Sequence, residues 1–345
     1  MKLTGSNFNW PLVGNKRVTE YLTKSVANKN IAGVYIFYGP DHLGKATVAY
    51  YFAQILLCEK NATQINAPCG DCRPCLKFRS RHERRGGAET EGEEAAEGIA
   101  HGDFHLLEKE NDKKNISIEQ AREFIRELNM SSFLNSYKVG IVKDAHLLSI
   151  EAASALLKTL EEPKERAVII LIASDIDSLP ATIVSRSQIL KFNPVGVDVI
   201  YDYLVDNFQA PRSAAKNFSR LSLGRPALAV KFLKNKNFFD RYLKKADIFL
   251  NFAIGSVNLK ATESLLEKKS SGQESVSSAR ETIEIWRGIT RDLILLDYNH
   301  GNLIQNHLLE EKLNKAKGAF SLRNLLNLAE ILQRADIYLR ANVNP

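Results

Sequence analysis

The stretch of sequence that decides the fold is VYIFYGPDHLGKATVAY, residues 34–50. Its first five residues, Val34–Tyr38, are apolar and rich in β-branched and aromatic side chains, which predicts a buried parallel strand. Gly39 and Gly44 bound the loop that follows, and Lys45 opens an apolar segment with helical periodicity. A strand, a glycine-bounded loop, a lysine and a helix in this order are typical of a phosphate-binding loop.

The loop has the groups needed to hold a phosphate but lacks one that a metal needs. Its glycines allow backbone N–H groups and the positive helix end to face a phosphate, which Lys45 would reach. The pattern also requires Ser or Thr after the lysine, because that hydroxyl binds Mg²⁺. Here the position is Ala46, and Thr47 lies about 100° further around the helix. Two interpretations stay open: a loop that binds ATP or ADP through Gly39, Gly44, Lys45 and Thr47, and a glycine turn without a ligand.

A second predicted strand also bears on whether the chain can bind Mg²⁺. In nucleotide triphosphatases a strand after the phosphate loop ends in Asp-Glu; the Asp orders Mg²⁺, and the Glu polarises the attacking water. Here the predicted strand Lys138–Val142 is followed by Lys143 and Asp144. A lysine at the metal-binding position, together with Ala46, removes both protein contacts to Mg²⁺. We therefore expect neither Mg²⁺ binding nor ATP hydrolysis by this chain. Simple charges at a strand end are the alternative, and they also imply no catalysis.

The four cysteines lie close together, at Cys58, Cys69, Cys72 and Cys75. Two-residue gaps allow the last three thiolates to converge on one ion, and Cys58 supplies the fourth ligand of a tetrahedral site. Free thiols and a redox-active pair are the alternatives. Because the chain has no cysteine elsewhere, the pattern favours a structural Zn²⁺ in a module over residues 58–78.

The composition places the chain among ordinary globular proteins. It has 345 residues, enough for two or three domains, with 44% hydrophobic and 25% charged residues. The net charge of +7 favours contact with nucleic acid or with an acidic partner. We see neither a signal peptide nor an apolar run long enough to span a bilayer, so we predict a cytoplasmic protein without membrane contact.

The order of predicted elements divides the chain. Strands alternate with helices up to residue 193, which predicts an α/β domain with a parallel sheet over residues 1–193. Within it, residues 79–100 lack an apolar period and are expected to form a disordered loop. Beyond this domain only helical periodicity remains. We divide the helical part into a small domain over residues 194–240 and an all-α domain over residues 241–345.

Three segments together resemble the clamp-loader subunits of bacterial DNA polymerase III. They are LLKTLEEP at residues 156–163, LPATIVSRS at residues 179–187 and the four-cysteine insert. The family includes ATP-hydrolysing gamma/tau subunits and delta-prime subunits, and Ala46 and Lys143 make the delta-prime subunits the better match. The resemblance implies an AAA+ module with a zinc-binding insert, a helical lid, and a C-terminal domain that joins the subunits of a pentamer.

The resemblance also implies a role for Arg186. In this family each ATP lies at a subunit boundary, and the neighbour supplies an arginine from a Ser-Arg-Cys motif. The motif here is Ser185-Arg186-Ser187, so Arg186 is the implied arginine finger for the ATP of an adjacent gamma subunit. A guanidinium suits this role because it stays charged and forks onto phosphate oxygens. The implied partners are gamma/tau and delta subunits, the sliding clamp (beta) and primer-template DNA.

Three functions remain open at this point. The first is a non-catalytic clamp-loader subunit that completes the ATP site of a neighbour. The second is an active gamma/tau-type ATPase with unusual metal ligands. The third is a zinc-stabilised interaction module without a nucleotide-linked role. A surface arginine at the start of a strand is the corresponding alternative for Arg186.

Overall fold

A computed structural model provides the fold of the chain. It describes residues 8–62, 68–78, 102–110, 113, 115–131, 137–255 and 273–340. The predicted disordered loop at residues 79–100 lies entirely outside these residues. None of the described helices is both long enough and apolar enough to cross a bilayer.

The chain forms two compact units. The first comprises residues 1–199 and 225–227, and the second comprises residues 200–224 and 228–345. The predicted domain boundary at residue 193 and the finer division into a lid over 194–240 and a C-terminal domain over 241–345 stay predictions.

A parallel five-stranded sheet forms the centre of the first unit, in the order β2-β3-β4-β1-β5. The parallel α/β architecture predicted from the alternating pattern is confirmed. All residues of β3 and β4 are buried, as expected for strands that are covered on both faces. The strands are β1 (Val34–Tyr38), β2 (Phe104–Leu107), β3 (Lys138–Val142), β4 (Ala167–Ala173) and β5 (Gln188–Lys191).

Helices cover both faces of this sheet. Because strand side chains alternate between faces, Tyr35 and Phe37 of β1 join a core with Phe52, whereas Val34 and Ile36 join a second core on the other face. The helices of this unit are α1 (Lys16–Ala27), α2 (Lys45–Leu57), α3 (Ile118–Asn129), α4 (Ile150–Glu161) and the short α5 (Ala181–Val184).

Serine caps explain where two of these helices begin. The Ser117 hydroxyl accepts a hydrogen bond from the backbone N–H of Gln120, whose side chain in turn accepts one from the Ser117 backbone, which forms a capping box. Ser149 caps α4 by accepting from the N–H of Ala152 at 3.1 Å.

Helices alone build the described part of the second unit. Their apolar faces meet in one core that includes Phe232, Phe249, Ile289 and Leu313. A buried carboxylate, Asp292, lies within this unit and accepts several hydrogen bonds. The helices are α6 (Val197–Phe208), α7 (Arg212–Leu221), α8 (Pro226–Lys234), α9 (Lys236–Ala253), α10 (Gln273–Asp297), α11 (Glu310–Ala316) and α12 (Leu322–Arg340), with the first residues of α6 and α8 assigned to the first unit.

Candidate nucleotide site and metal centre

The predicted phosphate loop lies at a characteristic edge of the sheet. The connection that leaves β1 runs towards β2 on one side of it, whereas the connection that leaves the adjacent β4 crosses to β5 on the other side. Ligands of open parallel sheets bind at such a point, beyond the carboxyl ends of the strands. The loop after β1 and the Lys143-Asp144 pair after β3 both follow these ends. The sheet therefore brings together the two segments that the sequence assigned to one site.

Glycine is structurally required at both ends of the loop. Gly39 has φ 140°, and a Cβ there would lie 2.2 Å from the carbonyl oxygen of Phe192. Gly44 has φ 87° and is the N-cap of α2. Only glycine adopts these conformations without strain. These conformations explain why glycine stands at both ends of the loop.

Lys45 is engaged within its own loop. Its side chain is only 6% exposed, and its ammonium group donates hydrogen bonds to the carbonyl oxygens of Gly39 and, at 2.8 Å, of Pro40. The carboxylate of Asp41 lies 3.6 Å away. Burial lowers the pKa of Lys45 from its ordinary value, and the charge of Asp41 acts in the opposite direction. The loop therefore provides acceptors for the cation that was expected to reach a phosphate.

The positions that would hold Mg²⁺ have no suitable ligand. Ala46 packs partly buried against the sheet core, and Thr47 is also partly buried. Lys143 lies 3.3 Å from the carboxylate of Glu108, which neutralises its charge inside the chain. Burial lowers the pKa of Lys45, and the charge of Asp144, whose backbone is left-handed with φ 50°, offsets a small part of that lowering. These residues do not fit a bound Mg²⁺.

Arg186 lies just after α5, with 41% of its side chain exposed. Its Nη1 donates to the carbonyl oxygen of Thr182 at 3.0 Å. Its Nη2 lies 3.1 Å from Oε1 of Glu161, the last residue of α4. The guanidinium is therefore attached to the first unit along one side and accessible to solvent elsewhere.

The four cysteines meet in one cluster. Their sulfur atoms all lie within 4.8 Å of one another, and Cys58, Cys72 and Cys75 are buried. The Sγ atoms of Cys69 and Cys75 are 4.0 Å apart, close to the spacing of about 3.8 Å that four Zn–S bonds of ~2.3 Å produce in a tetrahedron. Four convergent thiols without a disulfide fit a structural Zn²⁺.

Hydrogen bonding within the cluster favours loss of the proton from one thiol, that of Cys58. The bond to Cys75 lowers the pKa of Cys58 to about 5, while the same bond raises the pKa of Cys75 and burial raises that of Cys72. The backbone N–H of Cys72 donates to the sulfur of Cys69 at 3.4 Å. A thiolate that already receives such bonds is the form that binds a metal.

Sequence reasoning missed three acidic residues at these sites. Asp41, Glu108 and Glu161 each pair with a cation that the sequence singled out: Lys45, Lys143 and Arg186 respectively. Asp41 lies inside the quoted loop, and Glu161 lies inside LLKTLEEP, so both belong to segments that the sequence analysis had already identified. Their partners became known only from the folded chain.

Comparison with known proteins points to one family. The model of the family described as "DNA polymerase III, delta subunit" matches residues 14–196, just over half of the chain. The chain is 32% identical over 155 residues to the DNA polymerase III subunit delta' of Pseudomonas aeruginosa, covering 45% of this chain and 41% of that protein. It is 29% identical over 184 residues to the subunit tau of Bacillus subtilis, covering 53% of this chain and 29% of that protein.

The matches leave much of each protein uncovered. The chain spans less than half of the length of these two curated relatives. Among solved structures, a gamma subunit-related DNA polymerase III protein of Thermotoga maritima is similar at a TM-score of 0.40 and 17% identity. That likeness covers 93% of this chain and 99% of the other.

Proposed function

Since this chain belongs to the DNA polymerase III delta-subunit family, we propose that it is a non-catalytic, delta-prime-type subunit of the bacterial clamp loader. In this role it helps to load the sliding clamp onto primed DNA without hydrolysing ATP itself. Its direct contribution to hydrolysis is Arg186, which it inserts as an arginine finger into the ATP site of a neighbouring gamma subunit. The gamma/tau and delta subunits, the sliding clamp (beta) and primer-template DNA are the proposed partners.

The observation that carries this proposal is the state of the magnesium positions. Ala46 has no hydroxyl, and Lys143 forms an ion pair with Glu108 where a metal-binding carboxylate would be needed. Phosphoryl transfer in this class of proteins depends on a metal that neutralises charge on the outer phosphates. A chain that lacks both ligands is suited to assist hydrolysis elsewhere and unsuited to perform it.

The accessibility of Arg186 supports the second half of the proposal. The guanidinium is 41% exposed and follows a helix of only four residues, on the surface of the first unit. Arginine fingers supplied by another protein raise phosphoryl-transfer rates by roughly 10³–10⁵. A permanently charged, forked donor at such a surface can serve a phosphate that belongs to an adjacent subunit.

The proposal also includes a zinc ion and a nucleotide bound by this chain. A structural Zn²⁺ held by Cys58, Cys69, Cys72 and Cys75 stabilises the module that follows α2, in agreement with the sulfur spacing. The phosphate loop retains Gly39, Gly44, Lys45 and Thr47 as its contacts to ATP or ADP. Any nucleotide there must compete with Asp41 for the charge of Lys45, so binding is weak and independent of Mg²⁺.

The test is ATP turnover, first by the purified chain alone and then by the complex with gamma/tau and delta subunits, clamp and primed DNA. We expect no turnover by the isolated chain, turnover by the complex, and a loss of at least tenfold when the chain carries Arg186→Ala. Arg212→Ala is the matched control, because Arg212 is exposed on α7 and forms no ion pair with any described residue. Metal-dependent turnover by the isolated chain would instead support the gamma/tau-type alternative.

A further inference from the structure

Glu161 is joined to Arg186 by an ion pair across two helix ends. Oε1 of Glu161 lies 3.1 Å from Nη2 of Arg186, and the two side chains are 45% and 41% exposed. Glu161 ends α4, whereas Arg186 follows α5. The carboxylate therefore holds the guanidinium from an element that is separate in sequence.

The bonds that hold Arg186 leave part of its donor set available. A guanidinium has five N–H donors. Nη1 donates to the carbonyl oxygen of Thr182 and approaches the Ser185 hydroxyl at 3.5 Å, and Nη2 pairs with Glu161. Nε has no partner among the residues that the structure describes. The Nε hydrogen and one Nη2 hydrogen remain for an outside acceptor, and a bidentate contact to phosphate requires two such donors.

The position of Glu161 is not explained by the stability of its own helix. The C-terminal end of a helix carries partial negative charge, so a carboxylate in the last turn is unfavourable there. Both Glu161 and the next residue, Glu162, stand at this end of α4. Glu162 is exposed and makes no ion pair within the described chain, whereas Glu161 forms an ion pair with Arg186. The pairing with Arg186 is thus the interaction that offsets an otherwise unfavourable site.

We propose that Glu161 is a positioning residue, which holds the Arg186 guanidinium in the orientation that reaches the γ-phosphate of a neighbouring subunit. This inference rests on the proposed function. A free arginine side chain loses much rotamer freedom when it binds phosphate, whereas a guanidinium already held along one side loses less. Glu161 acts through Arg186 and makes no contact with the nucleotide itself.

The test uses the reconstituted complex with clamp and primed DNA, and the readout is the kcat and KM for ATP. Glu161→Ala is expected to lower kcat roughly two- to fivefold, because exposed ion pairs have small energies. KM is expected to stay unchanged, because the finger acts in the transition state. Glu161→Gln keeps a carbonyl acceptor and should recover part of the rate. Glu162→Ala is the matched control and should equal the unmodified complex.

A double variant separates positioning from a general structural effect. If Glu161 acts through Arg186, then Glu161→Ala causes no further loss when Arg186→Ala is already present. An additive loss in the double variant would overturn the inference, as would an unchanged or faster rate with Glu161→Ala alone. A faster rate would mean that the ion pair restrains Arg186.

The two proposals fail in different ways. If Arg186→Ala leaves the rate unchanged, the arginine-finger function is wrong and the positioning role fails with it. If Arg186→Ala reduces the rate but Glu161→Ala does not, the function stands and only the positioning role is wrong. Thermal unfolding of each isolated variant checks its fold, and Glu161→Gln carries the test if Glu161→Ala is poorly folded.

Discussion

The ammonium group of Lys45 lies 3.6 Å from the carboxylate of Asp41, in the loop that was predicted to hold a phosphate. Asp41 therefore supplies the negative charge that a bound phosphate would otherwise place beside Lys45. Two unit charges at this separation attract by about 1 kcal/mol in water. Removing the carboxylate should make Lys45 available to a phosphate and also remove a repulsion between two anions.

We predict that Asp41→Asn binds ADP more tightly than the unmodified chain by roughly fivefold, the equivalent of about 1 kcal/mol. Isothermal titration calorimetry of ADP without Mg²⁺ measures the change. Lys45→Ala should abolish binding and serves as the control. Equal or weaker binding by Asp41→Asn would show that Asp41 does not compete for Lys45.

The cysteine cluster predicts a metal-dependent stability. The purified chain should contain one Zn²⁺, measured by elemental analysis, and Cys75→Ser should lose it, because Cys75 is fully buried among the four sulfur atoms. The thermal unfolding temperature should fall in the variant, since metal binding contributes directly to folding.

Asp71→Asn is the matched control for this experiment. Asp71 lies between Cys69 and Cys72 in sequence, but its side chain is 81% exposed. This variant should keep its zinc and its unfolding temperature. A chain that contains no zinc after purification in its presence, and unfolds at the same temperature with Cys75→Ser, would contradict the metal assignment.

His105 predicts a pH-dependent stability. Its side chain is 12% exposed, its Nδ1 lies 2.9 Å from Glu127, and its buried Nε2 has no partner among the described residues. Burial lowers the pKa of His105 below its ordinary 6.5, which outweighs the opposing effect of Glu127. The folded state thus binds fewer protons than the unfolded state just below pH 6.5, and the free energy of unfolding falls as the pH drops through that range.

The measurement is urea unfolding at pH 7.5 and pH 5.5. The unmodified chain should lose more stability between these values than His105→Gln, by at most about 1.4 kcal/mol per pH unit. His300→Gln, at an exposed position, should behave like the unmodified chain. An identical pH dependence for His105→Gln would show that His105 does not titrate in this way.

We expect that substitution of Asp292 strongly lowers the stability of the helical unit. Its carboxylate is fully buried and accepts hydrogen bonds from the backbone N–H groups of Gln305 and Asn306 at 3.0 and 2.9 Å, and from the Asn306 side chain at 2.8 Å. Asp292→Ala leaves these donors without a partner, so the free energy of unfolding should fall by roughly 2–5 kcal/mol.

Chemical unfolding monitored by circular dichroism measures this loss. Glu330→Ala, at an exposed position on α12, should change stability by less than about 0.5 kcal/mol. A comparably small effect of Asp292→Ala would mean that water satisfies the freed donors and that the carboxylate is dispensable.

The sequence by itself determined the secondary-structure elements and the groups of functional residues that lie close together along the chain. The placement of Tyr35 and Phe37 in one core and of Val34 and Ile36 in the other follows from the pleat of a strand. The cap at Ser117 follows from chemistry within four residues. The candidate metal ligands were equally visible, because three of the four cysteines lie within seven consecutive residues, 69–75. Such features depend on interactions between near neighbours, which a single sequence displays directly.

Only the tertiary structure decided how the charges of the sites are paired. Lys143 meets Glu108, 35 residues away, because β2 lies beside β3 in the sheet, and Arg186 meets Glu161 because two helix ends come together. Even the partner of Lys45, only four residues distant, depends on the backbone path of the loop. Periodicity and spacing specify which element a residue joins, whereas ion pairs depend on strand order and on side-chain conformations that many distant contacts set together.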